Sequence, residues 1–271
     1  MEHKPIYYGE YLELDKIIHA QHPVSFQHGN KPAHEEMLFI IVHQAYELWF
    51  KQILFEVNSV IDIMNKPSLN DNSPELQTVV HRLQRVSTIL RLLVQQMDVI
   101  ETMTPMDFLD FRDMLRPASG FQSWQFKILE AKLGLKFEQR HGQDYYISQL
   151  KPADIEIIKN AESGPSLIEL INSWLERMPF LENVDFWKKY HPDSSNESHP
   201  FWQDYEKVYA NSLSEEEKNN VSYFRNIFFN KDTDPERRLS PAACRSALFI
   251  MLYRGYPMLE FPFQLLDTLL E

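Results

Sequence analysis

The stretch EEMLFIIVHQAYELWFKQILFE, residues 35–56, is the strongest constraint on what this chain can fold into. At helical spacing, Leu38, Ile41, Ala45 and Leu48 line one face, while Phe39, Ile40, His43, Tyr46 and Phe50 line the other. A helix that is apolar all round belongs in the middle of a protein. The spacing therefore predicts a central helix with His43 inside. Three roles are open to that imidazole: a hydrogen-bonded core residue, a metal ligand, or a group facing a ligand in a pocket. On spacing alone the core role is the ordinary one, since buried polar side chains nearly always have a partner.

The rest of the chain reads as helical around that segment. Helical spacing runs from about 34 to 65 and stops at NKPSLNDNSP; a second long helix covers about 74–101, where Leu83, Val86, Leu90, Leu93, Met97 and Ile100 recur at three and four residues. In TPMDFLDFRDMLRPASG, Thr104 is an N-cap, Pro105 takes the first helical position and Asp107 lies in the first turn. That helix closes at Pro117, and another follows in FQSWQFKILEAKLG. Residues 137–165 are polar except for a short helix near 152–160, SLIELINSWLERM is amphipathic, and HPDSSNESHP reads as surface loop. SPAACRSALFIMLYRG and FPFQLLDTLLE supply the last helices, with no repeats and no strand-like alternation. The expectation is an all-α helical bundle in one domain, 1–271. It has an arm at 1–33, long core helices at 34–132, a variable helical and loop region at 133–235 and C-terminal helices at 236–271.

Composition removes several function classes. A net charge of −12 disfavours a nucleic-acid role, which needs a basic face. The single cysteine, Cys244, rules out a disulfide framework or a cysteine-rich zinc site and points to a reducing, cytoplasmic setting. No window reaches the roughly 18 apolar residues that span a bilayer, and MEHKPIYYGEYLELDK lacks a signal-peptide core.

A dedicated metal site also finds little support. His43 and Glu47 sit one turn apart, but such pairs are common; of the inward Glu-x-x-His pairs of a di-iron bundle only Glu138 and His141 qualify, in a polar run. His19 and His22 form a loose pair beside a turn, and no His-Glu-x-x-His occurs. There is no Gly-x-Ser-x-Gly elbow, and Cys244 falls in an amphipathic helix where a core role is ordinary. One segment is more informative. In DFLDFRDMLRPASGFQS, Phe108, Phe111 and Leu115 follow helical spacing and Arg112 shares the face of Phe108. A guanidinium beside an aromatic ring suits a ligand that is both aromatic and a carboxylate, although an ion pair along the helix or a snorkelling arginine would also explain it.

YYGEYLELDKIIHAQ, HEEMLFIIVHQAYELWFKQILFE, ETMTPMDFLDFRDMLRPASGFQS and RRLSPAACRSALFIMLYRGYPMLEFPFQLLDTLLE together resemble the tryptophan 2,3-dioxygenase family, in order from about residue 8 to the end. The resemblance implies an all-α homotetramer of the tryptophan/indoleamine 2,3-dioxygenase type. In it haem b (iron) and O2 cleave the indole C2–C3 bond of L-tryptophan to give N-formylkynurenine, the first step of catabolism to kynurenine. Matched residue by residue, His43 is the distal histidine that meets the indole N–H, and Phe39 packs on the indole. Arg112 binds the carboxylate, Phe108 stands where some members have a tyrosine, and Leu115 and Ser119 line the pocket. Tyr8, Tyr11 and Leu12 match a segment that reaches into a neighbouring subunit's pocket.

The family's proximal haem histidine lies in a Trp-Arg-x-x-His motif after the helix that here reads FPFQLLDTLLE. None of the ten histidines matches it; His191 and His199 precede the wrong helices. The expectation is that this ligand lies beyond Glu271, that the chain is C-terminally truncated, and that it holds haem weakly or not at all. Two alternatives accompany this reading: a haem-free tryptophan or indole binder without dioxygenase activity, and a haem enzyme for another indole.

Overall fold

The computed structural model describes residues 5–135, 148–177, 200–230 and 238–271. Within them the secondary structure is helical, without a β-strand. The arm carries two short helices, α1 (Tyr8–Tyr11) and α2 (Leu14–Ile18), and a 3-10 turn at Val24–Phe26. The long helices follow as α3 (Glu35–Met64) and α4 (Pro74–Ile100), then α5 (Pro105–Arg112) and α6 (Trp124–Leu133). Next come α7 (Pro152–Ser163), α8 (Leu167–Glu176), α9 (Pro200–Ser212), α10 (Asn220–Phe228), α11 (Pro241–Leu252) and α12 (Glu260–Leu270). None of these helices is long and apolar enough to cross a membrane.

Local chemistry explains the helix starts. The Ser73 hydroxyl oxygen accepts the Leu76 N–H at 3.2 Å ahead of Pro74, and Thr104 and Ser166 form capping boxes with Asp107 and Glu169. The α5 helix ends at Arg112 and tightens into a 3-10 turn over Asp113–Leu115, earlier than the break expected at Pro117. At the end of α6, Gly134 adopts a φ of +124°, and a Cβ there would lie 2.3 Å from Ile168 Cγ2. No other residue fits where α6 passes the start of α8. Residues 200–228 contribute two helices to a region where the sequence shows mainly aromatic and charged content.

The core forms between α3 and α4, which run antiparallel: Lys66 pairs with Glu75, Arg82 with Ser59, and the Tyr46 hydroxyl donates to the Leu93 carbonyl at 2.6 Å. Burial raises the Tyr46 pKa above its ordinary value. Ile53, Val57, Val60, Leu76 and Val79 are fully buried here, with Ile171 and Leu175 of α8, Ile250 of α11 and Leu265 of α12 around them. Glu56, also buried, accepts from Arg85 at 2.6 Å and from Gln52 at 2.8 Å, so its charge is paired.

The first half of α3 departs from expectation. Ile41 and Leu48, seven residues apart on one stripe, are 48% and 55% exposed, and the stripe runs on into the second half at Phe55, 70% exposed amid enclosed neighbours. His43 is exposed as well, not inside the core. Apolar periodicity reports what a helix could bury, not which stretch has a covering element. The α4 helix covers one side of α3 from its C-terminal end back to Tyr46, whereas the stripe through Ile41 has no cover among the described residues.

Candidate functional site

The open half of α3 forms one wall of a cleft of about 750 Å³. The second wall is α5 with the loop after it, and the rim is the arm segment around His22 and Val24. Phe39, His43, Phe108, Arg112, Leu115 and Ser119 all line this cleft. The site therefore comes from two helices that meet only in the folded chain.

Their geometry is an aromatic ladder. The Phe39 ring lies 4.1 Å from the His43 imidazole, stacks on Phe108 at 5.5 Å and meets Phe111 edge-on at 5.6 Å. Phe111, fully buried, also meets Phe108 at 5.4 Å, which fixes both rungs from behind. The Arg112 guanidinium lies 5.7 Å from the Phe108 ring centre and has no ion pair among the described residues. Arg112 thus faces the cleft instead of pairing along its own helix, and it is free for an anion. Its helix is secured at the other end. The Thr104 hydroxyl donates to Asp107 Oδ2 at 2.6 Å and the Thr104 N–H at 2.9 Å, together holding the Asp107 carboxyl below its ordinary pKa.

At the other end of the ladder, His43 Nδ1 lies 2.7 Å from the Phe39 carbonyl oxygen. A carbonyl can only accept, so Nδ1 carries the hydrogen, and in the tautomer protonated at Nδ1 alone the ring presents Nε2 as an acceptor. The cleft thus offers a hydrogen-bond acceptor, a face for a flat ring, and a cation. The loop after α5 is braced by Ser119, whose N–H donates to Gln122 Oε1 at 3.1 Å while its hydroxyl oxygen accepts the Phe121 N–H at 3.3 Å. Gln125 of α6 donates to the Glu47 carboxylate at 2.8 Å and its carbonyl at 3.0 Å, joining the two helices at the cleft's edge.

Three residues of the arm stand apart. Tyr8, Tyr11 and Leu12 lie on or beside α1, exposed and outside the lining of this cleft. Glu36, Gln44, His22 and Val24 line it without having been singled out for it: His22 is visible in sequence only as half of a loose histidine pair, and Glu36 only as an acid in a first helical turn. No three of His, Cys, Asp and Glu gather to hold a metal among the described residues. Glu138, His141, His191 and His199 lie outside the described residues. Cys244 is half-buried in α11, its thiol 3.9 Å from the Leu239 carbonyl.

The family model described as tryptophan 2,3-dioxygenase matches residues 1–271 of the chain. Curated proteins named tryptophan 2,3-dioxygenase are similar along its whole length. The one from Bdellovibrio bacteriovorus is 43% identical over 289 residues, covering 100% of this chain and 79% of that protein. Those from Alteromonas mediterranea and Rattus norvegicus are 46% and 41% identical, covering 99% and 97% of this chain and 77% and 68% of their own lengths.

Proposed function

This chain belongs to the tryptophan 2,3-dioxygenase family, and from that premise we propose that the cleft between α3 and α5 binds L-tryptophan for cleavage of its indole C2–C3 bond by O2. Family membership makes the protein an oxidoreductase and favours the dioxygenase over a haem-free indole binder. The observation that carries the reading is the ladder itself: an imidazole acceptor at one end, an arginine without an acidic partner among the described residues at the other, and stacked rings between.

In this reading His43 Nε2 accepts the indole N–H, Phe39 packs on the indole, and Arg112 holds the carboxylate beside Phe108. Burying the indole N–H without an acceptor would cost about 1–3 kcal/mol, so His43 selects an indole over a plain benzene ring. Phe108 has no hydroxyl, so the carboxylate relies on Arg112. Leu115 and Ser119 complete the wall beside the ring. N-formylkynurenine is the product, and a homotetramer in which Tyr8, Tyr11 and Leu12 serve a neighbouring subunit's cleft is the assembly.

Family identity implies a haem-dependent enzyme. In this reading Phe39, Ile40, Leu115 and Ala118 would offer haem b a carbon-rich wall. No axial ligand is assigned among the described residues. When bound, the haem supplies the activation of O2; this chain's side chains orient the indole and hold its N–H proton.

The test compares tryptophan with tryptamine, which lacks the carboxylate, in the parent and in Arg112→Ala, using product mass spectrometry and equilibrium binding. The parent should prefer tryptophan, and Arg112→Ala should erase that preference. An undiminished preference in the variant would sink the assignment of Arg112.

A further inference from the structure

Two side chains of α3 hold the arm across the mouth of the cleft. Glu36 is fully buried, and both its oxygens are used: Oε1 accepts the Val24 N–H at 2.7 Å and Oε2 the Ser25 N–H at 2.8 Å. Eight residues on, the Gln44 amide donates to the Ala20 carbonyl at 3.2 Å and its oxygen accepts from Gln21 Nε2 at 2.6 Å. Positions 36, 40 and 44 recur every four residues, on the cleft side of the helix that also carries His43. The segment from Ala20 to Ser25 is thereby pinned at both ends along two turns of α3. Ser25, also fully buried, takes the Ala33 N–H on its hydroxyl oxygen at 3.0 Å, which closes the loop behind the pin. The 3-10 turn at Val24–Phe26 packs on the 3-10 turn at Asp113–Leu115, so the pinned segment reaches the opposite wall.

We infer that Glu36, assisted by Gln44, is a positioning residue of the substrate cleft: it sets the distance of the His22–Val24 rim from Leu115 and so the fit of the bound ring. The inference rests on the reading that this cleft takes tryptophan. A buried carboxylate with two backbone amides is poorly replaced by anything else. An amide of the same shape loses one acceptor and turns its own N–H groups toward a backbone N–H. The consequence falls on binding, because neither Glu36 nor the rim it holds bears on the indole N–H.

The experiment uses the haem-loaded enzyme with Glu36→Gln, the milder Gln44→Ala, and Glu56→Gln as comparator, a buried paired carboxylate on the same helix but away from the cleft. Tryptophan KM and kcat are measured beside equilibrium binding of tryptophan and amide exchange at Val24 and Ser25. Glu36→Gln should raise KM about tenfold with kcat within about twofold, and speed exchange at both amides. Gln44→Ala should raise KM about threefold, and Glu56→Gln should lower thermal stability with KM unchanged. If Glu36→Gln binds tryptophan as the parent does, or if Glu56→Gln raises KM equally, the inference is overturned. Should Glu36→Gln fail to fold, Gln44→Ala decides in the same terms. A parent that neither binds nor turns over tryptophan overturns the cleft reading and this inference with it, whereas normal turnover in the parent with an unmoved variant KM removes only the inference.

Discussion

The two halves of α3 have similar apolar content and opposite situations. From Ile53 to Met64 the apolar side chains are mostly enclosed, and Ile53, Val57 and Val60 have no exposed surface. From Glu36 to Phe50 the helix meets α5, α6 and the arm around a cleft, with its outer stripe uncovered among the described residues. The enclosed half fixes where the helix lies, and the open half spends its side chains on recognition. One rigid rod therefore couples the core to the site, so changes in either half are separable by what they damage.

That separation can be broken at its strong end first. Ile53→Ala should cost about 2–4 kcal/mol of unfolding free energy, since a fully enclosed side chain leaves a cavity. Chemical denaturation measures it, and tryptophan KM should stay put; a shifted KM would mean that the halves are not independent. Arg112→Ala should do the reverse, weakening tryptophan binding by about 1.5–3 kcal/mol, as for a charge-assisted hydrogen bond, with stability nearly unchanged. Titration calorimetry beside a melt checks both. His43→Ala should cost about 1 kcal/mol in kcat/KM while the haem spectrum persists, because the side chain orients the substrate. Loss of the spectrum would instead make His43 an iron ligand. The smallest effect concerns pH. The Asp107 pKa is lowered in the fold, so its contribution is fully present above the ordinary value of 3.8 and fades as pH falls through the lowered one. Asp107→Asn should flatten the acid side of the stability profile without touching neutral-pH binding.

How much of this was legible follows from what each signal encodes. The long helices were readable within a residue or so, because three-and-four spacing is local, as is the Thr104 cap of the shorter α5. The pocket residues were named by the family resemblance, not by periodicity. Spacing placed Arg112 beside Phe108 but left an ion pair along the helix equally open. The exposure of His43 was misread, because an apolar run does not disclose which stretch goes uncovered. The grip of Glu36 was invisible for another reason: its partners are peptide N–H groups eleven and twelve residues away, which every non-proline residue carries.

That same anonymity of the partners has an evolutionary meaning. A clasp made to peptide groups places no demand on the identity of residues 22 and 24. The rim can drift by point substitution, trying other side chains against the ligand, while its path over the cleft stays fixed. Within the rim, proline at 24 or 25, which lacks the donated hydrogen, would release it. The cleft thus joins a frame fixed by Glu36 to a rim whose side chains the clasp leaves free to vary, so ligand preference can be retuned there without rebuilding the fold.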